Sequence, residues 1–179
     1  RDSLVLILTL DKLSNTYSDK LPIQAYKYFR QYFVDRYQTT LTNEFDYQQR
    51  ILSIQKSMQE ASVQISNLPI VHEDFSTFQG GLQRTYRRAR KAMNLARTQP
   101  SPEIFHEWRK RVKYLWHQVE ILRSVQPETL TELANELHTL SDYLGDDHDL
   151  AVLRNTIMTA PAISKGESKE LFIVHIIDQ

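Results

Sequence analysis

Residues 105–122 read FHEWRKRVKYLWHQVEIL, and the spacing inside this stretch decides the fold. Positions three and four apart share one face of a helix. Phe105, Trp108, Val112, Leu115, Trp116, Val119 and Leu122 obey that rule and form one apolar stripe, while His106, Arg109, Lys110, Lys113 and His117 form a second stripe beside it. The stretch therefore predicts an amphipathic helix with a ladder of cations next to its buried side. Both tryptophans keep register with the aliphatic residues, which assigns them to the core rather than to a platform for stacked bases.

The same rhythm extends outward. Four glycines, six prolines and almost no period-two alternation argue against a sheet, and an all-α fold built as an antiparallel helical bundle is expected. Ser101 followed by Pro102 predicts the start of the central helix, because serine caps free N–H groups and proline is tolerated at the first helical position. That helix is expected over 102–124, ending before Pro127. Upstream, helices are expected over residues 3–13, from Pro22 to Tyr37, and over 43–65, the last with Ile51, Ile54, Met58, Ala61 and Ile65 as a coiled-coil-like seam. Gly80 and Gly81 are expected to interrupt the chain, so that a basic helix runs over 82–97 with Leu82, Tyr86, Ala89, Met93 and Ala96 facing the core. Downstream, residues 127–144 form a helix with Leu130, Leu133, Leu137, Leu140 and Leu144 as its buried row. A turn at Gly145 and a last helix to Met158 follow. SKGES at 164–168 reads as a loop and ELFIVHIID as a short terminal helix.

Composition bounds the function. The 179 residues suit one domain, 41% hydrophobic and 25% charged, as in a soluble globular protein. With no cysteine, disulfides and thiolate metal sites are excluded and a reducing, cytoplasmic setting is expected. The longest apolar run, LVLIL at 4–8, is far too short to span a membrane. The formal net charge is zero, yet Arg84 to Lys113 holds ten Lys or Arg against two acids. The rest of the chain is correspondingly acidic, which points to a local polyanion site.

Within that block, Arg84, Arg87, Arg88 and Lys91 form one stripe, with Arg90 and Arg97 along a neighbouring one. Two helices joined by a short loop pack antiparallel, and the two basic stripes are expected to flank one groove with no carboxylate cluster inside it. Arg grips phosphate oxygens bidentately, Lys is a mobile point charge, and His donates according to pH. Such a groove suits an extended phosphate polymer. Two other readings use the same residues: a nucleic-acid-binding helical module, and a metal-dependent phosphohydrolase in which His148-Asp149, within DDHD, resembles the HD-domain enzymes. For that segment the helical reading is that Asp146 or Asp147 caps a helix.

FHEWRKRVKYLW followed by LGDDHDLAVLR resembles the CHAD family, the conserved histidine α-helical domain. The H-x-x-R-K-x-x-K motif is met by His106, Arg109, Lys110 and Lys113. L-G-x-x-x-D-x-x-V-L is met by Leu144, Gly145, Asp149, Val152 and Leu153, and YRRARKAM at 86–93 is similar to the helix that precedes the first motif. The resemblance implies two pseudosymmetric four-helix bundles and non-catalytic binding of inorganic polyphosphate, without a cofactor or metal, sometimes beside triphosphatases of the CYTH type. The contacts it implies here are Arg87, Arg88, Arg90, Lys91, His106, Arg109, Lys110 and Lys113, with Asp149 orienting a basic side chain or capping its helix. Nucleic acid and membrane are not expected partners, and a cytoplasmic location, with polyphosphate granules, is. RDSLVLILTL at 1–10 also aligns without gaps on HDLAVLRNTI at 148–157. Residues 1–80 are accordingly expected to be the remainder of a first bundle whose own H-x-x-R-K helix precedes Arg1, and 81–179 the second bundle, within one domain.

Overall fold

A computed structural model describes residues 2–41, 44–69, 74–160 and 173–178 of the chain. They are all-α: α1 (Asp2–Thr16), α2 (Ile23–Leu41), α3 (Glu44–Ser66), α4 (Ser76–Thr98), α5 (Pro102–Leu122) and α6 (Pro127–Thr159), with a further helical turn at 173–177. No described helix is long and apolar enough to cross a membrane. The chain divides into two compact units, Arg1–Glu73 with Ala160–Gln179, and Asp74–Thr159. SKGES lies outside the described residues.

In the first unit α1 packs on α2. Leu6, Ile7, Leu10 and Leu13 on α1, Leu21 before α2, and Ala25, Phe29 and Phe33 on α2 are buried, as are Ile173, Val174 and Ile176. Spacings of three and four generate these rows, and each fully buried Leu or Phe contributes about 1.5–3 kcal/mol. Asp11 ties the two helices at their polar edge, accepting from Tyr26 Oη at 2.9 Å and Arg30 Nε at 3.0 Å. The seam expected along α3 is not buried: Ile51, Ile54, Met58 and Ile65 are all exposed. A heptad rhythm marks a face able to pack but does not supply the partner.

The second unit is built on α5, which contacts α4 on one side and α6 on the other. Ala89, Val112, Leu115, Val119, Ala134, Leu137 and Leu144 form its buried core, with Leu82, Phe105, Trp108, Trp116, Leu130 and Leu140 packed against it. The tryptophans thus lie where their register puts them. Ser101 opens α5 as expected, its Oγ accepting from Ile104 N at 3.3 Å with proline next. The same hydroxyl donates to Glu103 at 2.9 Å. On α4, Ala92 is buried in place of Tyr86, which is exposed. On α6, Ala134 and Ser141 are buried and Leu133 is not, because small side chains admit the closer approach to α5.

Two expected breaks are absent. α4 begins at Ser76 and passes through Gly80–Gly81, and α6 runs unbroken for 33 residues through Gly145. A glycine in a helix interior costs about 1 kcal/mol relative to alanine, too little by itself to end α4, and too little to end α6, which buries Leu144 and Leu153 on either side of Gly145. Asp146, Asp147 and Asp149 are therefore interior to α6, and none of them caps it.

Candidate anion-binding face

The basic residues of α4 and α5 are presented by helices whose opposite sides are held in the core. Arg87, Arg88, Arg90 and Lys91 are exposed on α4. Arg88 and Lys91 border a groove of about 540 Å³ against α5, whose far wall carries Glu103, Ile104, Glu107 and Arg111. Carboxylates therefore do line the α4–α5 groove, contrary to the expectation from spacing. Glu107 binds Lys110 Nζ at 2.7 Å and Arg111 at 2.5 Å. The hydrogen bond from Lys110 holds the Glu107 carboxyl below its usual range, with Arg111 adding to the effect and burial opposing it. Lys110 is thus already engaged, and Arg111 joins the groove although the motif passes over it.

His106 and Arg109 turn to the other flank, toward α6. The His106 ring lies 4.6 Å from the ring of His148, tilted by 42°. Arg109 lies across Gly145: a Cβ there would sit 3.6 Å from both its Nε and Nη2. Arg109 Nε is buried and has no hydrogen-bond partner among the described residues. Lys113, half-buried one helical turn further on, follows Arg109 on the same flank. The basic stripes of α4 and α5 therefore do not converge on one groove. α5 separates them, with Arg88 and Lys91 on one side and His106 and Arg109 on the other.

Beside the two histidines is a cavity of about 520 Å³, bordered by Pro102, Glu103, His106, His148, Ala151, Val152, Arg154 and Asn155. Burial is the main cause that pulls His148 below the usual imidazole range. His106 and Arg109 add to that shift, and Asp149 and Asp147 oppose it. Asp147 itself is pushed up by desolvation, with His148 countering. Asp149 is half-buried on α6 and acts on this site through its charge. His148 and Arg154 border this cavity although the motif reading does not include them. Their signal was present, since helical spacing from Gly145 places His148 one turn on, but only the pairing of α5 with α6 brings it to His106. Further along, Trp116 meets His138 edge to face at 4.6 Å, and His138 pairs with Asp142 at 3.1 Å.

Among the described residues no group of three or more His, Asp or Glu side chains is arranged to hold a metal ion. His148 and Asp149 thus gain no further ligand there for an HD-type site. What the α5–α6 flank offers is a row of nitrogen donors, some already paired with carboxylates, while Arg109 Nε has no hydrogen-bond partner among the described residues. No curated protein and no solved structure matches the chain. The model of the CHAD domain family matches residues 1–157, spanning both motifs and the helices that present them. With a match over that much of its length, the chain belongs to the CHAD domain family.

Proposed function

We propose that the Asp74–Thr159 unit binds inorganic polyphosphate without catalysis, gripping successive phosphates along α5. His106, Arg109, Lys110 and Lys113 serve as the central contacts and Arg87, Arg88, Arg90 and Lys91 as a second, more exposed group. Arg109 carries the reading. Its Nε is buried without a hydrogen-bond partner among the described residues, and a cation so placed wants a counter-charge to offset its loss of water. Phosphate oxygens supply that charge, in the geometry an arginine fork prefers. The split of the cations over two flanks of α5 favours a long polymer, which can cross a helix, over a compact anion. On this reading the protein works in the cytoplasm where polyphosphate is stored as granules, in company with enzymes such as CYTH-type triphosphatases.

The test is a titration with size-defined polyphosphate at low and moderate salt, with RNA of equal charge as competitor. Tight binding that weakens steeply with salt and resists RNA is expected. The triple variant Arg109→Ala, Lys110→Ala, Lys113→Ala should lose at least tenfold in affinity while keeping its helicity. Equal affinity in that variant would remove the proposed site, and displacement by RNA would turn the reading toward a nucleic-acid module.

A further inference from the structure

His148 stands outside the binding motif, yet its ring lies tilted against that of the motif histidine and both rings border the cavity that Arg154 and Asn155 extend. We propose that His106 and His148 form a proton-gated clamp for one phosphate unit, so that the site takes up a proton as it takes up the polyanion. The inference rests on the polyphosphate reading and adds to it a further binding residue and a mode of regulation.

The geometry is that of two donors facing one space. A neutral imidazole presents one N–H and one lone pair, and the lone pair repels a phosphate oxygen. The protonated ring presents two N–H donors. The surroundings of His148 set its charge from both packed helices. His106 and Arg109 from α5 disfavour a proton on it, Asp147 and Asp149 on α6 favour one, and Glu103 and Arg154 sit across and along the same cavity. Without ligand, burial and the α5 cations prevail, and His148 is held toward its neutral form. A phosphate seated in the cavity beside the two rings offsets the positive charge from α5 that disfavours a proton on His148, and leaves protonation favoured. Linkage then requires affinity to rise as pH falls, because the bound state holds more protons.

Calorimetric titration of the whole chain with short linear polyphosphate, in buffers of different ionisation enthalpy, counts the protons taken up. The polymer's own end groups titrate in the same region, so His148→Gln provides the baseline. Wild type is expected to take up close to one proton more than that variant near pH 7. Its affinity should rise several-fold between about pH 8 and about pH 6, with the variant much flatter. His148→Lys, a permanent cation, should bind tightly with the flat profile. In the NMR spectrum the titration midpoint of the His148 Cε1–H signal should move up on saturation. Binding with no extra proton and an unmoved midpoint would overturn the clamp while leaving polyphosphate binding in place. Absence of binding at every pH would remove both.

Discussion

Gly145→Ala is expected to stabilise the protein, although the position looks like a turn in the sequence. Gly145 is interior to α6 and buried, and its φ does not lie in the left-handed region that an added side chain would strain. The new methyl would meet Arg109 Nε and Nη2 at 3.6 Å, an ordinary van der Waals separation, so no neighbour has to move. Replacing glycine by alanine in a helix interior gains about 0.8–1.0 kcal/mol, most of it from the narrower unfolded ensemble. Arg109 keeps its place, so nothing subtracts from that gain. A stabilisation of about 1 kcal/mol raises the melting temperature by about 2–4 °C in a chain of this size. Urea unfolding followed by circular dichroism, run beside a thermal scan, measures both quantities. Gly145→Leu is the control, since its longer side chain must displace the Arg109 guanidinium and is expected to destabilise. If Gly145→Ala lowers stability by 1 kcal/mol or more, α6 is broken there and the placement of Arg109 over it is wrong.

Ser101→Ala removes the cap on Ile104 N and should cost about 1 kcal/mol, measured by the same unfolding curves, with Ser101→Asp retaining most of the stability. The depressed His148 makes the folded state bind fewer protons than the unfolded one, so its contribution is complete above the usual imidazole range and is lost as pH falls through it. Stability should therefore decline from about pH 7 to about pH 5.5 and decline less in His148→Gln. Asp147, shifted upward, acts in the opposite sense and at lower pH. Helix α3, whose described side chains are all exposed, should exchange its amide hydrogens faster than α5 and be cut first by trypsin, at Arg50 or Lys56. Earlier cleavage within α5 would contradict that order.

The helical class, the start of α5 and the packing of the partly buried Trp108 and Trp116 against the core were legible because each rests on short-range spacing, and spacing is what sequence displays. In the gapless match between the first ten residues and 148–157, the shared burial is what any two amphipathic helices display. Leu6 and Leu153 are both buried, as are Leu10 and Ile157. The glycines misled because propensity is a weak force: Gly145 stays helical between the buried Leu144 and Leu153, and Gly80 and Gly81 stay helical although the residues just before them are exposed. The candidate site was legible as a list and not as a layout. Periodicity shows that His106 and Arg109 share a stripe, but which neighbour that stripe meets depends on the angular phase of α5 between α4 and α6. Consequently Arg111 and the carboxylates of Glu103 and Glu107 appeared beside Arg88 and Lys91, and His148 beside His106.

The unbroken α6 also has a mechanical side. At 1.5 Å per residue its 33 residues make a rod roughly 50 Å long, with Leu137 in the core and His148 about three turns further along one stiff beam. A beam without a hinge carries displacement along its length. A void opened by Leu137→Ala would let the rod settle and shift His148 away from its partner ring, so the proposed anion site would be weakened by a lesion that no anion touches. The tolerance of this surface to change is set as much by how firmly the hidden part of α6 is seated as by the charges it displays.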